Sequence, residues 1–335
     1  MSPSSRRSAS RLALSAALSG AMFLGVVNAV IAQPTPRTES KKPSAAGRAV
    51  LWRDPGPLNA RDLFWGSASE ERVPQGPFTF VEEDSSGTQP KITVTDSRGE
   101  SWDVKFGQEV PAEIASNRFV WALGYLAEEM YLVRRGTISG AKGLGRAAEH
   151  VAQDGSFNNA RFRRRDARMR RTDDEWTFQK NPFVGTKELS GLMIVMNLIN
   201  NWDIQESRNN RVLEVTLPGG EVERWFIVSD LGATFGRMGG PLGRKTKWNL
   251  PDYIDEDLIE RVEDGYLKLD YEGFGKGDLG TIPIEHARWF TSFASQLTIE
   301  QLRRMFEAAG ASPQAVDGYS KRLAAKIAEL QAAIR

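Results

Sequence analysis

The first candidate for chemistry is a loop that carries amide and carboxylate side chains. Residues 200–203 read Asn-Asn-Trp-Asp directly after an apolar run, and Asn209 and Asn210 follow a few positions later. A carboxylate such as Asp203 can accept a proton from a hydroxyl group, and an asparagine oxygen can bind a metal ion. The same residue types are also common where a helix ends in a turn. The loop therefore has a catalytic and a structural interpretation.

A second carboxylate follows an apolar strand. Asp230 opens the triplet Asp-Leu-Gly, which ends at Gly232. An aspartate at a strand end, with a glycine two residues on, can project its carboxylate toward Mg²⁺ bound to phosphates. One alternative is an ordinary turn. Another is a cell-envelope hydrolase in which Asp203 and Asp230 act as a pair of carboxylates.

Groups suited to binding phosphate occur earlier in the chain. Residues 87–91 read Gly-Thr-Gln-Pro-Lys and lead into a predicted strand. Gly87 would let backbone amides approach phosphate oxygens closely, and Lys91 would add positive charge. Taken alone, the segment is typical of an ordinary β-turn.

A lysine and a glutamate form the next candidate pair. Lys105 ends the second strand of a predicted hairpin, and Glu113 lies in the helix that follows. A strand lysine paired with a helix glutamate can hold the α- and β-phosphates of a nucleotide. Glu109 is a rival partner for Lys105.

Hydrophobic periodicity predicts the elements that position these groups. Alternation predicts a two-stranded β pattern between Phe78 and Phe106, and a period near 3.6 predicts a helix from Pro111 to Tyr131. The apolar run Leu189–Leu198 is too long for a strand and predicts a buried helix. Two strands are predicted next, at Val212–Leu217 and Trp225–Val228.

The last third of the chain is predicted to be helical. Thr298 and Gln301 form a capping box that opens a helix ending at Gly310. A final amphipathic helix is predicted over Ala315–Ile334.

The order of these parts resembles the protein-kinase-like fold. The parts run from a glycine turn, a hairpin with a lysine and a helix glutamate to a buried helix, an Asp/Asn loop, a hairpin and Asp-Leu-Gly. The motifs are most similar to those of the HipA-like kinases and of the secretory-pathway and phosphatidylinositol kinases. Residues 87–91 look like the Gly-x-Gln-x-Lys phosphate loop of HipA-like kinases. Residues 201–203 look like their Asn-x-Asp, and residues 230–232 look like the Asp-Phe-Gly of kinases.

The resemblance implies a two-lobed α+β fold and a role for each candidate residue. Asp203 would orient or deprotonate the acceptor hydroxyl, and ATP with Mg²⁺ would bind between the lobes. Gly87, Gln89 and Lys91 would contact the ATP phosphates, and Lys105, paired with Glu113, would position them. Mg²⁺ would be held by Asp230 with Asn209 or Asn210.

The spacing of the metal-binding asparagine departs from the kinase pattern. Kinases usually place it five residues after the catalytic aspartate, where this chain has Arg208. Asn209 and Asn210 come one and two residues later. The sequence therefore supports two hypotheses, an exported phosphotransferase and a catalytically inactive kinase-like scaffold that binds an envelope partner.

An arginine-rich segment stands out between the two halves. Seven arginines occur between Arg161 and Arg171, within a Gly/Arg-rich stretch at residues 136–180. One interpretation is a solvated loop insertion, because runs of charge are usually solvated. The other is a docking site for an anionic partner such as a phosphate, a lipid headgroup or a cell-wall polymer.

The N-terminus predicts export. Arg6, Arg7 and Arg11 precede an apolar run, Leu12–Ala32, that ends in small residues. This pattern is typical of a signal peptide cleaved near Ala32, which would release the protein to the periplasm or the cell exterior. The alternative is an uncleaved membrane anchor, since the run is about long enough to span a bilayer. The paired arginines also hint at the twin-arginine route.

Composition restricts the remaining possibilities. The 335 residues include no cysteine and only two histidines, which excludes disulfides and thiolate zinc sites and makes a histidine-rich metal site unexpected. Without the three arginines of the signal, the formal net charge changes from +1 to −2. A near-neutral mature chain gives no reason to expect nucleic acid as a partner. The acceptor is expected to be a protein or small molecule that the sequence does not identify.

These patterns divide the chain into five segments. Residues 1–32 are the signal peptide, and residues 33–49, rich in Pro, Ser, Thr and Lys, are a disordered linker. Residues 50–135 are expected to form the β-rich N-lobe, and residues 181–335 the mainly helical C-lobe. Residues 136–180 are the Gly/Arg-rich insertion between them.

Overall fold

The computed structural model describes residues 47–85, 89–204, 209–239, 243–275, 277 and 279–335. The predicted signal peptide, most of the predicted linker, and Gly87 of the predicted phosphate turn lie outside these residues. Within the described ranges, no helix combines the length and the apolar character needed to span a bilayer.

The described residues fold into a mixture of strands and helices. The strands are β1 (Arg48–Val50), β2 (Phe78–Asp84), β3 (Lys91–Thr95), β4 (Ser101–Lys105), β5 (Met130–Ser139), β6 (Ser156–Arg164), β7 (Met169–Glu175), β8 (Asn210–Thr216), β9 (Val222–Val228), β10 (Ile259–Glu263), β11 (Tyr266–Leu269) and β12 (Ile282–Pro283). The helices are α1 (Val110–Ala122), α2 (Lys187–Leu198), α3 (Leu250–Asp255), α4 (Ile284–Ala294), α5 (Ile299–Ala308) and α6 (Pro313–Ala333). Short 3-10 turns occur at Leu58–Ala60, Glu70–Arg72 and Arg146–Glu149.

Five strands close into a barrel in the order β2-β3-β4-β6-β5. Successive side chains of a strand point to opposite faces, so the apolar residues of the alternating pattern pack inside the barrel, among them Phe78, Ile92, Trp102, Val104 and Phe162. The polar residues between them line up on the other face. Lys91, Lys105 and Arg161 are paired across β3, β4 and β6 and form one row of cations.

Helix α1 packs against the barrel and is almost entirely buried. It is shorter than the sequence predicts, because it ends at Ala122 rather than near Tyr131. Gly124 adopts a φ of +89°, a left-handed conformation that ends the helix, and its Cα lies too close to the Arg53 carbonyl for any side chain. The residues that follow lead into β5.

Helix α2 and a second sheet carry the two carboxylates. The Thr186 hydroxyl caps α2 by accepting a hydrogen bond from the amide of Leu189 at 3.2 Å. The helix ends just before Asn200, whose φ is +50°. Strands β8 and β9 form a hairpin in a sheet ordered β1-β9-β8-β7, and Asp230 follows the end of β9.

The C-terminal helices enclose an aromatic cluster. Phe235 packs edge-on against Tyr253, Phe306 and Tyr319, with ring centroids 5.1–5.7 Å apart. These contacts hold the chain just after Asp-Leu-Gly against α3, α5 and α6. The predicted capping box at Thr298 and Gln301 is present at the start of α5.

The segment at residues 136–180 is not the solvated loop that one interpretation expected. It contains the end of β5, all of β6 and all of β7, and β6 is a central barrel strand. Its arginines form ion pairs with carboxylates from distant parts of the chain. Arg161 contacts Glu113 at 3.2 Å, and Arg163 contacts Asp103 at 2.7 Å. Docking of an anionic partner on this segment stays a prediction.

The C-terminal third also differs from the helical expectation. Strands β10, β11 and β12 form a small antiparallel sheet before α4. Most residues of β10 are charged and exposed, so the strand lacks the apolar alternation that sequence patterns detect.

Candidate active site

Lys105 lies at the centre of a cluster of carboxylates. Its Nζ is 2.7 Å from Oε2 of Glu109, 3.0 Å from Oε2 of Glu113 and 3.6 Å from Oδ1 of Asp230. The side chain ends β4, and helix α1 supplies both glutamates from its first turn and its N-cap. Although burial would lower the pKa of Lys105, attraction to Glu113, Asp230 and Glu109 raises it. Lys105 is therefore positively charged in the folded protein.

Glu113 is the most deeply buried carboxylate of the cluster. It is 1% exposed and lies between Lys105 and Arg161. Burial opposes its ionisation, but the charges of Arg161 and Lys105 outweigh burial and lower the pKa of Glu113 to about 2. Glu113 therefore forms a buried triad with Lys105 and Arg161. The sequence predicted the pairing of Lys105 with Glu113 but not the participation of Arg161.

Glu109, the rival partner, also contacts Lys105 and connects it to two other parts of the chain. Gln89 donates a hydrogen bond from Nε2 to Oε1 of Glu109 at 3.1 Å, and Lys247 Nζ lies 2.6 Å from the same oxygen. Gly232 of the Asp-Leu-Gly triplet packs so closely on Glu109 that a Cβ would lie 2.7 Å from its Oε2. Glycine is therefore required at position 232 for this approach.

The Asp203 loop is held by backbone and side-chain hydrogen bonds. The amide of Asp203 donates to Oδ1 of Asn201 at 3.1 Å, and the indole Nε1 of Trp202 donates to the carbonyl of Thr246 at 2.8 Å. The amide of Phe274 donates to the carbonyl of Trp202 at 2.7 Å. Burial and repulsion from Asp230 and Glu109 raise the pKa of Asp203, although a hydrogen bond from Asn209 lowers it. A carboxylate with a raised pKa is a stronger base.

Asn209 links the two candidate carboxylates. Its Nδ2 donates to the carbonyl of Asp203 at 2.7 Å, and its own carbonyl accepts the amide of Ser229 at 2.7 Å. The amide of Asp230 lies 3.4 Å from the same carbonyl. The side chain of Asp230 is 48% exposed, and its Oδ1 also accepts a hydrogen bond from Gly232. The structure thus brings Asp203, Asn209 and Asp230 together.

The residues present fit a divalent cation. Mg²⁺ prefers oxygen ligands and usually binds through one or two carboxylates together with phosphates and water. Asn210 is fully buried, and within the described ranges neither Oδ1 nor Nδ2 of its side chain has a hydrogen-bond partner. A bound cation would give the amide oxygen a partner and remove this cost. Because the described residues hold no cluster of three or more acidic or histidine ligands, phosphates and water would have to complete the shell.

The cluster opens into a charged cleft with a volume of about 350 Å³. Gln89, Lys91, Lys105, Glu113 and Asp230 all line it, whereas Asp203 and the two asparagines do not. Lys91 is paired with Asp84 at 3.2 Å rather than with Glu109 or Glu113. The outer face of the barrel thus supplies charged groups to the cleft, because its apolar residues point inward.

Arg161 and Lys247 also belong to the cluster, and the sequence did not predict either of them as a member. Arg161 lies in β6 between Ala160 and Phe162, which face the barrel core. The burial pattern of β6 does not alternate regularly, so periodicity gave no signal for the position of Arg161. Lys247 is 138 positions from Glu109 in the chain, and no local pattern indicates its contact.

Comparison with known proteins found only distant similarity. No family model matches the sequence, and no curated protein matches it. The chain is similar to a crystal structure of the Golgi casein kinase, with a TM-score of 0.39 and 13% identity over 78% of this chain and 72% of that one. It is also similar to the Golgi casein kinase with Mn/ADP bound, with a TM-score of 0.36 and 12% identity over 81% of each chain. The functional assignment therefore depends on this chain's own geometry.

Proposed function

We propose that this chain is an exported kinase-like phosphotransferase that transfers a phosphate from Mg²⁺-bound ATP to a hydroxyl acceptor. The observation that carries the proposal is the convergence on Lys105. One ammonium group contacts a buried helix glutamate, Glu113, and also Asp230 of Asp-Leu-Gly, which Asn209 ties to Asp203. The barrel and α1 would form an N-lobe, and α2 with the C-terminal helices a C-lobe. The cleft would lie between them.

The chain's own residues would do three tasks. Lys105, fixed in place by Glu113, would orient the donor phosphates and neutralise part of their charge. Asp230 with Asn209 and Asn210 would hold Mg²⁺, which supplies electrostatic stabilisation of the transferred phosphate. Asp203 would take the proton from the acceptor hydroxyl as its oxygen bonds to the γ-phosphorus. The bond between that phosphorus and the bridging oxygen breaks, and ADP leaves.

The acceptor and the location are parts of the same proposal. An acceptor protein or small molecule would present its hydroxyl at Asp203. Cleavage of the signal peptide near Ala32 would place the enzyme in the periplasm or outside the cell, where ATP is expected to be scarce. Folding with nucleotide before export, as the twin-arginine route allows, would resolve this conflict.

The test is Mg²⁺-dependent release of ADP and transfer of the labelled γ-phosphate by the purified protein. Asp203→Ala and Asp230→Asn are each expected to lower the rate by about 100-fold or more. Asp174→Asn is a matched control, because the Asp174 side chain is also 48% exposed and forms one ion pair, with Arg224. Transfer by both site variants at the rate of the Asp174→Asn protein would show that the assignment is wrong.

A second candidate function is a catalytically inactive kinase-like scaffold. One observation favours it: Lys105 is only 4% exposed and is already surrounded by three carboxylates, so a phosphate would have to compete with Glu109 at 2.7 Å. Thermal unfolding with and without ATP and Mg²⁺ separates the two functions. A saturating ligand raises stability by a few kcal/mol if it binds the folded state, and the absence of any shift favours the scaffold.

A further inference from the structure

A second cavity, lined by other residues than the charged cleft, includes Lys247, the ion-pair partner of Glu109. Its volume is about 670 Å³. It is enclosed by the residues that precede and begin α1, by β5, by residues 244–249 and by the turn after α5. Cavities of this size hold small molecules, and Lys105, Asp203 and Asp230 do not line this one.

The charged residues of this cavity are all cations. Arg134, Arg244, Lys245 and Lys247 line it, and none of the lining residues that the structure describes is acidic. Among the described residues, neither Arg134 nor Arg244 has a carboxylate within ion-pair distance. Lys245 packs over the ring of Phe274 at 4.5 Å, whereas Lys247 is ion-paired with Glu109.

This pattern contrasts with the arginine-rich segment. Each of the seven arginines from Arg161 to Arg171 has an acidic partner. A set of cations without carboxylate partners among the described residues, gathered around one cavity, is suited to hold an anion.

The cavity also has an apolar wall. Pro111, Leu132 and Trp248 contribute to its lining, and all three are partly buried. Gly310 has a φ of +84°, and a Cβ there would lie only 2.7 Å from Cδ2 of Leu132. The wall is therefore compact. It fits a small organic anion with a hydrocarbon portion better than it fits inorganic phosphate alone.

The position of the cavity connects it to the candidate active site. Lys247 is paired with Glu109, which contacts Lys105. Thr246, another lining residue, accepts the hydrogen bond from Trp202, the neighbour of Asp203. The same segment thus forms a cavity wall and supports the loop of the proposed base.

We propose that this cavity binds the acceptor, and that the acceptor is a small organic anion that carries a hydroxyl group and a phosphate monoester or a carboxylate. Arg134 and Arg244 would bind the anionic group, and Pro111 and Leu132 would contact the carbon portion. The identification as acceptor site rests on the proposed phosphotransferase function; the binding of the anion does not.

Calorimetric titration of the purified protein with two probes, glycerol 3-phosphate and glycerate, tests the binding. Arg134→Ala and Arg244→Ala are each expected to weaken binding by about 10-fold or more, because each removes a charge-assisted hydrogen bond. Arg135→Ala is the matched control, since Arg135 is the next residue of β5, is also exposed, and does not line the cavity. The probe that binds more tightly identifies the anionic group.

Three outcomes would overturn the binding proposal. The first is no heat from either probe at millimolar concentration, and the second is an equal loss in Arg134→Ala and Arg135→Ala. The third is binding that survives in Arg134→Ala and Arg244→Ala but disappears in Lys91→Met, which would place the anion in the charged cleft that Lys91 lines. Both target arginines are exposed, so unchanged melting temperatures are expected and exclude misfolding.

The role as acceptor site has a separate readout. If the protein transfers phosphate to the tighter probe, Arg134→Ala is expected to raise KM for that probe by about 10-fold with kcat nearly unchanged. An unchanged KM would overturn the acceptor role. Failure of the phosphotransferase function would appear differently, as anion binding that depends on Arg134 in a protein that releases no ADP.

Discussion

At the scale of single residues, the electrostatics of the candidate site depend on one buried glutamate. Glu113 contacts Lys105 and Arg161 and stays ionised although it is removed from water. Deleting one partner of a buried ion pair strongly destabilises a protein, because the other charge remains buried and unpaired. Two cations would be left without their common partner if Glu113 were neutralised.

This arrangement leads to a stability prediction for acid conditions. The folded pKa of Glu113 is about 2, below its ordinary value of 4.5. The contribution of ionised Glu113 to the free energy of unfolding is therefore fully present above about pH 4.5 and is lost as the pH falls through 2. The shift corresponds to about 3 kcal/mol. Urea unfolding between pH 6 and 3 should show a smaller loss of stability in Glu113→Gln than in the wild-type protein.

The control for this prediction is another paired glutamate. Glu100 forms an ion pair with Arg164 at 3.1 Å, but its side chain is 42% exposed. Glu100→Gln is expected to keep the wild-type dependence on pH. If Glu113→Gln and the wild-type protein lost stability equally across this range, the charge assigned to the buried triad would be wrong.

At the scale of elements, helix α6 supports the loop of the proposed base. Lys326 is fully buried in α6, and its Nζ lies 2.6 Å from Oδ1 of Asn200. The Nδ2 of Asn200 in turn donates to the carbonyl of Gly236 at 2.8 Å. The last helix of the chain is thus connected to the segments on both sides of the candidate site.

The burial of Lys326 predicts how stability changes at alkaline pH. Burial, with repulsion from Arg322, lowers the pKa of Lys326 to about 7, although three acidic residues oppose the shift: Glu256, Glu329 and Asp257. Between pH 7 and its ordinary pKa of 10.5, the unfolded chain holds a proton that the folded protein does not. Stability from this group therefore rises with pH across that window, by about 1.4 kcal/mol per unit.

Two variants of α6 test this expectation. Lys326→Met is expected to remove the rise in the free energy of unfolding between pH 7 and 10. Lys321→Met is expected to retain it, because Lys321 is 69% exposed and paired with Asp317. The same slope in both variants would contradict the assignment of the rise to Lys326.

Local sequence patterns predicted the elements whose side chains alternate or repeat. The strands at residues 92–106, the buried helix before Asn200 and the hairpin before Asp230 all follow this rule. The patterns failed where long-range pairing decides the structure. Strand β6 looks like a solvated arginine run because its carboxylate partners, such as Glu113 and Asp103, are about 50 to 60 positions away.

In the candidate site too, local sequence predicts some residues, whereas others depend on contacts between distant segments. Lys105, Glu113, Asp203 and Asp230 were identified from residue type and position near element ends. Lys247 and the anion cavity were not identified, because they depend on how residues 244–249 fold back onto α1. Hydrophobic periodicity does not predict contacts between segments that are far apart in the chain.

At the scale of the whole molecule, charge is distributed unevenly although the chain is nearly neutral. The chain has 44 basic and 43 acidic residues, and the arginines of β6 and β7 are paired with carboxylates. The cavity beside α1 concentrates cations. A small anionic acceptor would therefore be attracted to a cavity whose wall also supports the loop of the proposed base.

We expect the Lys105–Asp230 cluster to bind nucleotide phosphates together with Mg²⁺. The most direct measurement is calorimetric titration of a non-hydrolysable ATP analogue into the purified protein, with Mg²⁺ and with a chelator. We expect binding that requires Mg²⁺, is weakened at least about 10-fold by Asp230→Asn, and is unchanged by Asp174→Asn. Absence of binding at millimolar analogue, or equal binding with the chelator and in Asp230→Asn, would contradict this expectation.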